Sequence, residues 1–157
     1  MIAKHADVNL VDSSKRSALH HAAEIGSEDL VRLLLEERAD PSLESNSGQI
    51  ALDYASLYGH DGNTSVVELL LDNGVDINAV DQYKNTALHF AAFGDRVNMA
   101  KLLVMRNARL DCPDNGGFTP LMDAARTGSL SSMKVLIDAG ANLEALNDSG
   151  LSALDLA

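Results

Sequence analysis

A seven-residue stretch constrains this chain more than any other feature, because the chain writes it five times. It reads SALHHAA at 17–23, IALDYAS at 50–56, TALHFAA at 86–92 and TPLMDAA at 119–125, and a shortened copy, SALDLA, ends the sequence at 152–157. Successive copies begin 33, 36, 33 and 33 residues apart. A fixed period in this range predicts a stack of small, similar units that bury a continuous seam, rather than one globular core. The interval of 36 is the same period with three residues inserted around 60–64, between the two helices of one unit. Lengthening a loop by three residues costs little closure entropy, so the insertion reads as neutral drift more readily than as a contact loop.

The punctuation within each unit is equally regular. Asp12, Asp81 and Asp114 open tight turns, with Gly48, Gly117 and Gly150 supplying backbone freedom and Lys15 and Lys84 standing in that glycine's place. The repeated motif then forms a short helix, with Pro120 in a first turn where its missing N–H costs nothing. A second, Val/Leu-rich helix follows. Ser27 and Ser129 are expected to cap two of these, and Ser65 with Glu68 reads as a capping box for a third. Gly74, Gly140 and Asn107 fit left-handed helix ends; Arg38 in the same slot implies a small strain, or a local departure, in that turn. In the third full unit the glycine that ends the first helix is displaced by one, to Gly94.

These motifs, with the segments ADVN at 6–9, GVDIN at 74–78 and GANLE at 140–144, closely resemble the ankyrin repeat family over essentially the whole chain. The resemblance implies an all-α solenoid of stacked helix-turn-helix units joined by β-turn or hairpin loops. A single array is expected: a partial unit at 1–11, repeats at about 12–44, 45–80, 81–113 and 114–146, and a partial unit at 147–157. Leu151, Leu154 and Leu156 would lack a covering unit, so the array is expected to belong to a longer protein. The resemblance further implies that His20 and His89 bond backbone and steady the turns, with Asp53, Met122 and Asp155 in their place elsewhere. Met122 is not expected to reproduce those hydrogen bonds.

Composition removes several function classes. A net charge of −11 disfavours nucleic acid and anionic membrane surfaces, which require a cationic footprint. No apolar run approaches a membrane span, and no secretory leader is apparent. Cys112 is the only cysteine, so no intrachain disulfide can form; a reducing compartment, cytoplasm or nucleus, is expected. His20 and Glu24 share a helix face but lack a second ligand pair for zinc. Without a nucleophile elbow, a metalloprotease motif or a phosphate loop, the chain reads as non-catalytic, with no cofactor and no metal.

The resemblance places a partner protein or peptide on the concave face made by the turns and first helices. Positions that the repeat leaves free there nominate Arg16, His21, Gln49, Tyr54, Tyr83, Asn85, Phe90, Phe118, Asp123 and Arg126 as contacts. All six aromatic residues, Tyr58 and Phe93 included, lie in the turn-plus-first-helix windows of three consecutive units. Aromatic and arginine side chains make interface hot spots because they bury much area at low entropy cost. Tyr83 and Phe118 are expected to be exposed in turns, whereas Tyr58 and Phe93, near helix ends, divide evenly between packing and contact. The windows 13–25, 46–58, 82–94, 115–127 and 148–157 hold four cations against five acids. The remaining segments, with Glu28, Asp29, Glu36, Glu37, Glu68 and Asp72, therefore carry almost all the negative charge and read as a solvated back. A regulatory or targeting segment of a larger enzyme or channel is the alternative reading.

Overall fold

The computed structural model describes residues 7–58 and 64–157. Among them are nine helices, α1 (Ala18–Ile25), α2 (Glu28–Glu36), α3 (Ala51–Tyr58), α4 (Thr64–Asp72), α5 (Ala87–Phe93), α6 (Val97–Met105), α7 (Pro120–Thr127), α8 (Leu130–Asp138) and the short α9 (Ala153–Leu156). The odd-numbered helices come from the repeated motif and pack in series, α1 on α3, α3 on α5, α5 on α7 and α7 on α9. The second helices form a parallel row, α2 on α4, α4 on α6 and α6 on α8. This is an all-α solenoid; the only strand-like pairing among the described residues is an isolated antiparallel bridge between Val11 and Ser17.

Small side chains let the rows approach. Ala22, Ala23, Ala91, Ala92 and Ala124 are inaccessible, and Leu19, Leu52, Leu88 and Leu121 fill the seam between units. Consecutive turns are stitched by main-chain bonds: the N–H groups of Asn46, Gln82, Asn115 and Asp148 donate to the carbonyls of Ser14, Ser47, Tyr83 and Gly116 at 2.9–3.1 Å. Each turn is also closed internally. The Asp12 carboxylate accepts from Ser14 and Arg16 N–H, Asp81 from Tyr83 and Asn85, and Asp114 from Gly116 and Phe118. Those bonds require the left-handed residue that follows, with φ of 57° at Lys15, 65° at Lys84 and 77° at Gly117. The same conformation occurs at the helix ends, with Arg38 at 67° and Asn107 at 64°.

Two local expectations, the serine caps of α4 and α8, need correction, and the displaced glycine of the third unit has its explanation. Helix α4 begins at Thr64, so Ser65 lies inside its first turn and is not a cap; the Ser65 hydroxyl instead bonds the Glu28 carboxylate and, with Arg32, lowers its pKa. Ser129 holds the cap position of α8, but its hydroxyl bonds Thr127 and the Phe93 carbonyl rather than the helix N–H groups. In the third unit the left-handed residue is Asp95 (φ 51°) while Gly94 stays at −85°, so the register of the turn is kept and the glycine is merely out of step. The Asp95 carboxylate uses this geometry to accept Ser132 N–H at 2.9 Å, tying α8 to the preceding unit. Ser27 caps α2 as expected, accepting Leu30 N–H. The inserted residues 60–63 lie outside the described segments.

Candidate functional site

The turns and first helices are held to one another through the histidine slot. Nδ1 of His20 faces the N–H and hydroxyl of Ser17, and Nε2 meets the Gln49 carbonyl of the next unit at 3.2 Å. His89 repeats this with Thr86 and the Phe118 carbonyl at 3.1 Å. Burial pushes the His20 pKa down, which suits a neutral ring bridging two main-chain segments. Both nitrogens of each ring are committed, and Glu24 pairs with Arg16, so the His20–Glu24 pair is not arranged to hold an ion. In the same slot Asp53 accepts the local N–H of Ile50, and Asp155 accepts both the N–H and the hydroxyl of Ser152; neither reaches the next unit as histidine does. Met122 does partly replace histidine after all: its sulfur lies 3.5 Å from Thr119 N–H.

With the turns fixed, four positions of each unit recur at the turn and first helix: three before and one before the first residue of the motif, and four and seven after it. In the third and fourth units all of these positions except Phe118 line a cavity of about 460 Å³. Tyr83, Asn85, Phe90, Asp123 and Arg126, five of the nominated residues, line it, joined by Phe93 and Leu57. The size lies within the range of pockets that take a drug-sized ligand or a few side chains. Tyr83 is 55% exposed and Phe93 48%, so both rings are available to a ligand. Phe93 and Leu57 share the seventh position with Arg126; that column was the signal by which Phe93 could have been added to the site.

Phe118 is not exposed as the turn position suggested. It is half-buried against the core, and the Arg126 guanidinium lies 5.3 Å above its ring and 5.9 Å from that of Phe93. Arg126 also donates to the Asp123 carboxylate at 2.9 Å. Burial raises the Asp123 pKa, and the Arg126 hydrogen bond pulls it back. Asn85 is partly engaged within its own turn, donating to Asp81 at 3.3 Å.

The remaining nominated residues stand apart from this cavity. Arg16 lies over the Tyr54 ring, 4.5 Å from its centre, and pairs with Glu24. Tyr54 meets His20 edge-on and stacks on Tyr58 at 6.2 Å; Tyr58 is half exposed. His21 faces the Asp12 carboxylate at 3.0 Å, and Gln49 accepts from the Ser47 hydroxyl within its turn. The array thus presents two aromatic–arginine clusters, one on the first two units and one on the third and fourth. The acidic residues Asp29, Glu36, Glu37, Glu68 and Asp72, on or at the ends of the second helices, are exposed.

Comparison with known proteins agrees with this architecture. The profile of ankyrin repeats (3 copies) matches residues 1–81 and 60–147. A putative ankyrin repeat protein of fowlpox virus, FPV014, is 37% identical over 143 residues, 88% of this chain and 31% of that protein. A transient receptor potential cation channel subfamily A member 1 homolog of Caenorhabditis elegans is 32% identical over 159 residues, covering 100% of this chain and 13% of the channel. Palmitoyltransferase AKR1 of Lachancea kluyveri is 35% identical over 148 residues, 90% of this chain and 20% of the enzyme. The chain therefore spans less than a third of the length of these relatives. No helix among the described residues is long and apolar enough to cross a membrane. Repeats of this kind are generally protein-interaction modules. The chain belongs to the ankyrin repeat family.

Proposed function

We propose that this chain is a non-catalytic interaction module that holds a protein or peptide against its turn-plus-first-helix face, with the cavity between the third and fourth units as the main seat. The supporting observation is that cavity: exposed rings of Tyr83 and Phe93 beside Phe90, and a polar edge supplied by Asn85, Asp123 and Arg126. Ring faces at a concave site bury large area with few rotamers to freeze, which is what a hot spot requires. Phe118 contributes through Arg126, which it holds in place. Arg16, His21, Gln49 and Tyr54 form a subsidiary contact zone on the first two units. An acidic surface disfavours nucleic acid as the partner, and the lone Cys112 suits an intracellular setting, cytoplasm or nucleus.

The test is selection of a displayed random-peptide library on the 157-residue chain. Affinity of the selected peptides is then measured for Tyr83→Ala and Phe90→Ala. Each truncation is expected to weaken binding by about 1–3 kcal/mol, while circular dichroism stays that of the wild type. Unchanged affinity in both variants would remove the cavity from the assignment. A second reading makes the module a regulatory or targeting part of a larger enzyme or channel. It rests on the small share of the channel homolog and the palmitoyltransferase that this chain covers.

A further inference from the structure

We propose that the cavity between the third and fourth units receives an arginine side chain of the partner. This rests on the reading of that face as the binding surface, and adds to it the chemistry of the residue that enters.

Charge gives the first argument. Two carboxylates, Asp114 and Asp123, line the cavity against one cation, Arg126, inside a chain of net charge −11. The Asp114 carboxylate is fixed in position by the N–H groups of Gly116 and Phe118 at 2.7 and 2.8 Å, so its charge cannot swing away. Asp123 is held by Arg126 through one nitrogen and one oxygen, a single-point contact rather than a two-point fork. The Asp123 side chain is only 7% exposed, so a second guanidinium meets its charge from within the cavity, and the half-buried Asp114 carboxylate is the more open of the two. An incoming anion would meet Arg126 but also two carboxylates and the negative faces of the rings.

The walls give the second argument. The rings of Tyr83, Phe90 and Phe93 line the cavity, and their π faces attract cations. A guanidinium is planar and weakly hydrated, so it stacks on such faces better than a compact ammonium does. The protein itself uses this pairing twice: Arg16 lies over Tyr54 and pairs with Glu24, and Arg126 lies over Phe118 and Phe93 and pairs with Asp123. Arg126, with its side chain half exposed, is the resident example of the group the cavity is shaped to accept. It partly occupies the site and competes with the ligand.

That competition fixes the sign of the test. N-acetyl-arginine methylamide is titrated into the ¹⁵N-labelled 157-residue chain, alongside the lysine, glutamate and phenylalanine analogues, and amide shifts are followed by NMR. The arginine compound is expected to move amides of residues 83–93 and 114–126, with affinity roughly threefold or more above lysine. Phe93→Ala, at an exposed position, is expected to weaken it by a similar factor, and Arg126→Ala to tighten it by removing the resident guanidinium. Tighter binding of any other analogue, equal binding of lysine, shifts absent or spread over the second helices, or weaker binding to Arg126→Ala would each overturn the proposal. Library peptides that need Tyr83 yet carry no basic residue would sink this inference and leave the interaction surface standing. Peptides insensitive to both Tyr83→Ala and Phe90→Ala would instead remove the surface.

Discussion

At the scale of single residues, the histidine slot shows how one substitution changes the physics of an otherwise repeated joint. His20 and His89 satisfy both ring nitrogens, one within the unit and one on the next. Asp53, in the second unit, satisfies only one carboxylate oxygen; the other, Oδ1, is buried without a partner. Burial, partly offset by the Ile50 N–H and reinforced by Asp81, pushes the Asp53 pKa up to about 7. A carboxyl whose folded pKa is raised binds its proton more tightly in the folded state. Its contribution is therefore complete below its unfolded value near 3.8 and is lost as pH rises through about 7. In Asp53→Asn the amide keeps the acceptor for Ile50 N–H and never ionises. Relative to that variant, the wild type should match it near pH 4 and fall behind by up to roughly 4 kcal/mol at pH 8. Urea unfolding of both proteins across that range measures the gap. A gap that stays constant with pH would mean that Asp53 titrates normally. Comparing the pair cancels the exposed carboxylates Asp12, Asp40 and Asp155, whose lowered values act in the opposite direction.

At the scale of elements, the sequence was most legible where a residue type is forced by backbone geometry. Pro120 in the first turn of α7 and the left-handed ends at Gly74, Gly140 and Asn107 follow directly from what those conformations tolerate, while Arg38 takes the same conformation against its preference. It was less legible where a hydroxyl has competing partners. Ser65 and Ser129 match cap patterns, but each finds a better bond across units, to Glu28 or to the Phe93 carbonyl, and such partners are invisible in a linear pattern. The same distinction separates glycines that look equivalent. Gly117 and Gly140 are both left-handed, yet a Cβ at Gly117 would sit 2.8 Å from Asp148 N and Oδ1, whereas one at Gly140 meets nothing within 4 Å. Gly140→Ala should thus cost only the conformational term, about 1 kcal/mol. Gly117→Ala must also push apart the stitched turns of neighbouring units, and should cost at least about twice that. Equal losses in chemical denaturation would show that the turn ladder yields freely.

At the scale of the whole molecule, the period determined the stacking and the row of turns and first helices, because in-phase apolar side chains leave few alternatives. The content of that row was only half legible. Position in the repeat brought Tyr83, Asn85, Phe90, Asp123 and Arg126 to one cavity, but it could not say that Arg16 and Arg126 would lie on rings of their own chain. Such pairings depend on side-chain reach across units. Charge obeys the longer range of electrostatics and was read more easily: Asp29, Glu36, Glu37, Glu68 and Asp72, expected to be solvated, are exposed on or at the ends of the second helices. The excess acidic charge of a chain at −11 repels itself in the folded state more than in the expanded chain. Among the described ion pairs, Arg32–Glu28, Arg106–Asp72 and Lys134–Asp138 relieve this only at the surface, where each is worth little. Salt should therefore stabilise the array. The thermal midpoint is expected to rise between low salt and about 0.5 M NaCl, where the screening length shrinks below the spacing of surface charges. Most of the rise should come by about 0.15 M, since screening saturates. Sodium sulfate strengthens apolar burial at any net charge, so chloride is the discriminating salt. A midpoint that falls with chloride would show that the surface ion pairs outweigh the repulsion of the excess acidic charge.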